Sequence, residues 1–290
     1  LGFSLADYKS KVLQFTDMTN VPFPGNLGRG DRIENWNGNA KNYYLVGKSL
    51  SPVYVFQTDG IFQTQEEVDA YYEMYYWNAD HTAPKAGNII PAPADSGTGR
   101  LRPGARKVVD LDGDGVITKD DIYYAGDRDP HLTFTIKAGL EWKGIDVSAF
   151  FQGVGNQVVL RQGQIPYLWR TNYVMQNKTY MGKTWTPENT GAEYTIASRD
   201  QNFNAWNYQY KDVSLQKNRY IRLKSLVVGY TLPKQWTAKA GLNKVRLYFS
   251  GDDLWEWTKV KDGYDPEFGE ETNNSFPFSR LLSFGVDVTF

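Results

Sequence analysis

From Leu282 to Phe290 apolar residues take every second place: Leu282, Phe284, Val286, Val288 and Phe290 alternate with Ser283, Gly285, Asp287 and Thr289. A two-residue period puts the two sets on opposite sides of an extended chain, so this stretch predicts a strand with one apolar and one polar face. Lys244 to Asp252 repeats the pattern, with Val245, Leu247 and Phe249 against Arg246, Tyr248 and Ser250. Tyr220 to Leu232 is a third long β-rich run, whose two faces separate less cleanly. Each run is about the length, roughly 9 to 11 residues, that a tilted strand needs to cross a bilayer.

A hairpin is predicted over Leu132 to Val154. Leu132, Phe134, Ile136, Ala138, Leu140 and Trp142 share a face, Lys143-Gly144 makes the turn, and Val147, Ala149 and Phe151 continue that face. Thr133, Thr135, Lys137, Glu141, Asp146, Ser148 and Gln152 take the other side. In a soluble sandwich such a polar face meets water; in a large barrel it lines a wet lumen, and the apolar face meets lipid. The two architectures differ over Leu282, Phe284 and Val286, which a sandwich buries and a barrel turns outward.

Long irregular stretches separate the strands, notably Gln157 to Gln216 and the Pro-, Gly- and Ala-containing run from Thr82 to Pro103. Short turns at one end and long loops at the other are the habit of outer-membrane barrels. Thr64 with Glu67 forms a capping-box pattern ahead of Val68, Ala70, Tyr71 and Met74, which predicts a short helix inside one loop. The loops are rich in Tyr71, Tyr72, Tyr75, Tyr76, Trp77, Tyr167, Trp169, Trp185 and Trp206. For any one of these, packing or an interfacial girdle is the expected role, ahead of sugar stacking or contact with a lid protein.

Aromatic residues make up 15% of the 290 residues, with 20 Tyr and 9 Trp, while mean hydropathy is negative. That mixture suits β-structure with long polar loops. No run approaches the roughly 20 apolar residues of a spanning helix, so any membrane role falls to strands. The formal charge of −1, with no basic run, leaves no electrostatic footprint for nucleic acid. The absence of Cys removes disulfides, thiolate metal sites and a Cys nucleophile. Leu1-Gly2-Phe3 opens the chain without a Met or a signal-peptide pattern, as expected of a mature or truncated piece. Catalysis finds no support: there are two His, His81 and His131, and no Gly-x-Ser-x-Gly, P-loop or His-Glu-x-x-His, with Gly153-Val154-Gly155 as the sole dinucleotide-like fragment. The expectation is a protein that is not an enzyme.

The sharpest chemical signal is the segment from Asp110 to Asp121, which has the spacing of a calcium loop. Ca²⁺ prefers six to eight oxygens. Asp110, Asp112 and Asp114 supply carboxylates at positions one, three and five, Gly115 permits the sharp turn at six, and Val116 offers its carbonyl at seven. Thr118 contributes directly or through water, and Asp121 stands at position twelve, where an ordinary EF-hand has Glu and the dockerin-like variant has Asp. The competing reading is a loop whose Asp side chains cap their own turns without metal. With no second loop to pair with, residues 110–121 read as a structural Ca²⁺ clip inserted in a loop.

Several blocks in order carry a family resemblance: Tyr54 with Thr58-Asp59-Gly60-Ile61-Phe62-Gln63, the Asp110 to Asp121 loop, and Gly144 to Gly153. They are followed by Tyr220-Ile221-Arg222-Leu223-Lys224, Gly229-Tyr230-Thr231-Leu232-Pro233, Gly263-Tyr264-Asp265-Pro266-Glu267, and finally Pro277, Arg280, Phe284-Gly285 and Phe290. The chain resembles the C-terminal part of SusC/RagA-type TonB-linked outer-membrane proteins of the Bacteroidetes. The resemblance implies an all-β fold in which residues 1–290 are C-terminal strands of a large antiparallel transmembrane β-barrel with long extracellular loops. The plug and the N-terminal barrel strands are then absent from this chain. It also implies import of oligosaccharides or peptides across a Gram-negative outer membrane, with a SusD-like surface lipoprotein, TonB engaged through the missing N-terminal part, and Phe290 as barrel-assembly signal. The alternative is a soluble, calcium-stabilised β-sandwich that binds carbohydrate.

Overall fold

The computed structural model describes residues 1–11, 49, 51–93, 99–118, 120–161, 180–261, 265–268 and 279–290. In chain order these contain β1 (Gly2–Ala6), β2 (Pro52–Phe56), β3 (Thr58–Ile61), α1 (Gln65–Tyr75), β4 (Arg106–Val108) and β5 (Ile122–Asp127). Then come β6 (His131–Trp142), β7 (Ile145–Asn156), β8 (Val158–Leu160), α2 (Gln201–Tyr208) and β9 (Leu215–Lys217). The chain finishes with β10 (Tyr220–Thr231), α3 (Lys234–Thr237), β11 (Lys244–Thr258) and β12 (Leu281–Thr289). Every pairing between these strands is antiparallel.

Six strands form one sheet in the order β1-β6-β7-β10-β11-β12, with β1 and β12 at its edges. β6 and β7 are joined by the two-residue turn Lys143-Gly144, both with positive φ (48° and 85°), which matches the twist of the flanking strands. The registers reproduce the alternation in the sequence. Ile136 faces Phe151, Ala138 faces Ala149 and Leu140 faces Val147, while Thr135 faces Gln152 and Glu141 faces Asp146. On the other side of the sheet Leu247 pairs with Val286 and Phe249 with Phe284, and Arg246 pairs with Asp287. β1, a strand of five residues that sequence patterning did not pick out, adds Phe3 and Leu5 opposite Ile136 and Phe134.

The blurred faces of the Tyr220 to Leu232 run have a local cause. Leu223 pairs with Phe151 but Ser225 pairs with Phe150, so Lys224 is an extra residue in β10, a β-bulge. Before it, odd positions such as Ile221 and Leu223 share the apolar face; after it, even positions such as Leu226, Val228 and Tyr230 do.

One end of the sheet carries the short connections, residues 143–144 and 232–243, and the other end carries the long ones, 7–130, 157–219 and 259–280. Much of the long-connection segments is not irregular. β2 pairs with β5, β3 with β4 and β8 with β9, and they enclose a core of Val55, Phe56, Phe62, Val68, Leu101, Ile117, Phe203 and Tyr210. Burial of each large side chain there stabilises by about 1.5–3 kcal/mol. α1 forms where the capping box predicts. Thr64 accepts from the Glu67 amide (3.3 Å), and Glu67 reaches back to the Gln63 amide (3.0 Å). Its buried stripe is Val68, Tyr71, Tyr72 and the capping Tyr76, spaced three and four apart, whereas Met74 points outward.

Candidate functional site

The Asp110 to Asp121 loop joins β4 to β5, and its base is closed by β2 and β3, which are separated only by Gln57. Gly113 and Gly115 adopt φ of 77° and 80°, the left-handed region that lets the loop coil back on itself. Asp110 accepts from the amides of Gly113 (2.7 Å) and Gly115 (2.9 Å), Asp112 from Asp114 (3.1 Å), and Asp114 from Val116 (2.8 Å). One carboxylate oxygen each from Asp110, Asp112 and Asp114 lie within 4.8 Å of one another. Oxygens held about 2.3–2.6 Å from a single Ca²⁺ have the same spacing.

Asp121 is fully buried and accepts from the amides of Leu111 (2.6 Å), Thr118 (2.7 Å) and Asp112 (3.4 Å). Burial raises its carboxyl above the ordinary range, against the pull of those amides. The Thr118 hydroxyl accepts from the Asp120 amide (3.0 Å). Lys85 ties the loop to the helix, its Nζ donating to the Gly115 carbonyl (2.7 Å) and the Met74 carbonyl near the end of α1 (2.6 Å).

On the polar face of the sheet, Arg222 gathers three carboxylates. Its Nε and Nη2 donate to Glu256, Nη2 also to Asp265 (2.8 Å), and Nη1 to Glu267 (3.0 Å). Lys224 extends the cluster to Glu267 (3.1 Å) and Asp253 (2.8 Å). Two of the sequence blocks, 220–224 and 263–267, thus meet through charge; Gly263 and Tyr264 of the second lie outside the described residues. Nearer the short turns, Arg246 pairs with Asp146 (2.6 Å) and Asp287 (3.2 Å). The sequence marks Arg222, Lys224, Asp265 and Glu267 as block members and Asp146, Arg246 and Asp287 as polar-facing, but it singles out neither Glu256 nor Asp253 and none of the pairs, because ion pairing across strands is invisible to a period of two.

The opposite face is apolar and, among the described residues, uncovered. Leu282, Phe284 and Val286 are 60%, 82% and 59% exposed. The outcome expected of a sandwich, burial of these three, does not hold. Aromatic side chains mark the ends of this face: Trp142 and Tyr230 stand by the short turns, Trp255 and Trp257 by the long connections, and all four are exposed. Leu247 and Trp257 lie ten residues apart on β11. Ten residues span roughly 33 Å of strand, or about 25 Å along the axis of a barrel whose strands tilt by roughly 40°.

The loop aromatics sit in the core. Tyr71 donates to the Val108 carbonyl (2.8 Å), Tyr72 to that of Pro91 (3.0 Å), Trp206 to that of Arg106 (2.9 Å) and Trp185 to the Gln63 side chain (2.8 Å). These four rings are buried, while Tyr75 and Trp77 are partly so. Tyr167, Trp169 and Pro277 lie outside the described residues, and Arg280 and Phe290 are exposed.

No family model matches the chain. Two proteins of Formosa agariphila do: TonB-dependent receptor P3, 28% identical over 218 residues, covers 70% of this chain and 21% of its own length. TonB-dependent receptor P26, 28% identical over 299 aligned residues, covers 99% of this chain and 26% of its own. The chain therefore spans about a quarter of the curated relatives it matches. In fold it is similar to the RagAB peptide transporter (TM-score 0.54, 19% identity, 85% of this chain and 23% of that one). The RagAB peptide importer in its closed-closed state gives a TM-score of 0.51 at 20% identity, over 82% of this chain and 23% of that one. With relatives named TonB-dependent receptors aligned along 70% and 99% of its length and an antiparallel sheet similar to that of the RagAB structures, the chain resembles a segment of a SusC/RagA-like TonB-dependent receptor.

Proposed function

We propose that residues 1–290 supply C-terminal strands to a large outer-membrane β-barrel that imports oligosaccharides or peptides. The observation that carries this reading is the exposed apolar face of β10 to β12, bordered at both ends by aromatic residues and backed by a polar face. An apolar sheet of this kind is stable facing lipid. In lipid the outer edges of β1 and β12, unpaired among the described residues, require neighbours, which further strands of a longer polypeptide provide. The polar face then lines the lumen, and the packed long-connection region forms the extracellular mouth.

In this reading a plug and TonB-contacting segment belong to the remainder of the polypeptide, and a SusD-like lipoprotein covers the mouth. Phe290 serves as the signal for barrel assembly. Ca²⁺ occupies the Asp110 loop, held by Asp110, Asp112 and Asp114, with Val116, Thr118 and Asp121 completing the set, and acts as a structural clip under α1 rather than in transport. The cell is Gram-negative and Bacteroidetes-like.

The test is fractionation of producing cells. The expected product is a heat-modifiable outer-membrane species much larger than 33.1 kDa, co-purifying with a lipoprotein and required for uptake of oligosaccharide or peptide. A soluble monomer of that mass overturns the proposal.

A further inference from the structure

On the long-connection side of the sheet, a cavity of about 400 Å³ lies among β4, β9, the residue after β8 and the chain leaving β11. Its lining holds five cations, Arg106, Arg161, Lys217, Lys259 and Lys261, against one carboxylate, Glu193. In a chain whose formal charge is −1 this is a strong local excess. Glu193 is itself drawn toward Lys183 (3.8 Å), which lies outside the lining.

Two of the cations are buried: Arg106 is 7% exposed and Arg161 4%. Removing a guanidinium from water is unfavourable unless hydrogen bonds or opposite charge offset it. Arg106 Nη2 donates to the Glu193 carbonyl (3.2 Å), and its guanidinium lies 5.5 Å from the centre of the Tyr208 ring, but its Nε has no hydrogen-bond partner among the described residues. Tyr180 and Tyr194, set edge to face at 4.7 Å, form part of the wall.

We infer that this cavity binds the carboxylate of a small anionic ligand, seated against the buried guanidiniums and drawn in by the rim lysines. The planar fork of Arg matches the two oxygens of a carboxylate. The volume lies within the range of small-molecule sites, and the like-charged lysines raise the local concentration of anions. Two sources present this chemistry, a uronic acid sugar and an acidic dipeptide. The inference concerns binding alone and stands apart from the import reading, since it is measured without energised transport.

Calorimetry on the full-length receptor in detergent, with digalacturonic acid and with the dipeptide Glu-Glu, tests it against the neutral cellobiose and Gln-Gln. An acidic ligand is expected to bind at least about tenfold more tightly than its neutral counterpart, with an affinity that falls as salt rises. Whichever acid binds identifies the source. The K259E/K261E double variant changes two exposed side chains and spares the core, and is expected to lose at least about tenfold in affinity; Arg161→Gln tests the buried contact. Binding that ignores ligand charge, binding unchanged in K259E/K261E, or no binding of either acid overturns the inference.

Discussion

Asp146 and Arg246 stand on strands that are not neighbours, β7 and β11, and close their ion pair across Gly229 of the intervening β10. A Cβ on Gly229 would lie 2.5 Å from both Arg246 Nη2 and Asp146 Oδ1. The glycine is the gap through which two strands communicate.

Gly229→Ala is therefore expected to displace the ends of these two flexible side chains and, by weakening the pair, to destabilise the assembled protein by up to about 1 kcal/mol. The temperature at which the folded, heat-modifiable band disappears measures this. Asp146→Asn is expected to cost a similar amount, since it weakens the same partly exposed pair. Equal transitions for Gly229→Ala and the natural protein would reject the steric account.

The two faces of β12 are expected to respond oppositely to charge. Phe284→Arg places a cation on the apolar face and is expected to cost about 2–4 kcal/mol in a bilayer, while Ser283→Arg on the polar face is near neutral. Membrane assembly of the two variants decides between them, and equal tolerance would contradict the assignment of faces.

Arg222 is nearly buried among carboxylates, so Arg222→Met leaves them facing one another. The expected loss is about 3–5 kcal/mol, read as a lower urea midpoint. Adding Glu267→Gln to Arg222→Met is expected to recover part of it, a coupling that a purely steric effect would not produce.

Calcium is expected to raise the thermal midpoint of the natural protein and to protect the loop around Asp112 from proteolysis, with EDTA reversing both. In Asp112→Asn the shift is expected to vanish while the calcium-free midpoint changes little. A natural protein indifferent to calcium and EDTA would assign the loop to turn capping alone.

Lys211 is buried between the rings of Phe56 (4.4 Å) and Trp206 (5.1 Å), and burial pushes its ammonium down to about 7. The folded state then holds fewer protons than the unfolded state between about pH 7 and the ordinary lysine value, so this group makes stability rise with pH across that window, by up to about 1.4 kcal/mol per unit. Lys211→Met is expected to stabilise most below pH 7, with a gain that shrinks toward pH 10. Melting curves at pH 6, 8 and 10 test the trend, and a gain that does not vary with pH would refute it.

The strands were legible where a two-residue period ran long enough, as in β6, β7, β11 and β12, and α1 was legible because Thr64 and Glu67 announce its start. β1 escaped notice because five residues hold too little alternation. The core of the long connections escaped because its tyrosines and tryptophans read equally well as surface rings, and only their long-range contacts, such as Tyr71 with Val108, settle their place. The loop carboxylates were legible by spacing. The Arg222 cluster was not, since its members at 222, 256, 265 and 267 meet only once the strands have paired.

The extra residue in β10 acts as a change of phase. Counting back from Tyr230, Val228 and Leu226 in strict twos would set Lys224 and Arg222 among the apolar side chains. The bulge shifts the count by one, so Arg222 meets its carboxylates on the wet side while Ile221 and Leu223 stay with the oily one. Deleting Lys224 would remove the bulge and leave a strict alternation in which Leu223 still faces the oily side and Arg222 the wet one. At the bulge such a strand tolerates the loss of one residue better than the loss of two, since removing Ser225 as well would carry Arg222 to the oily side.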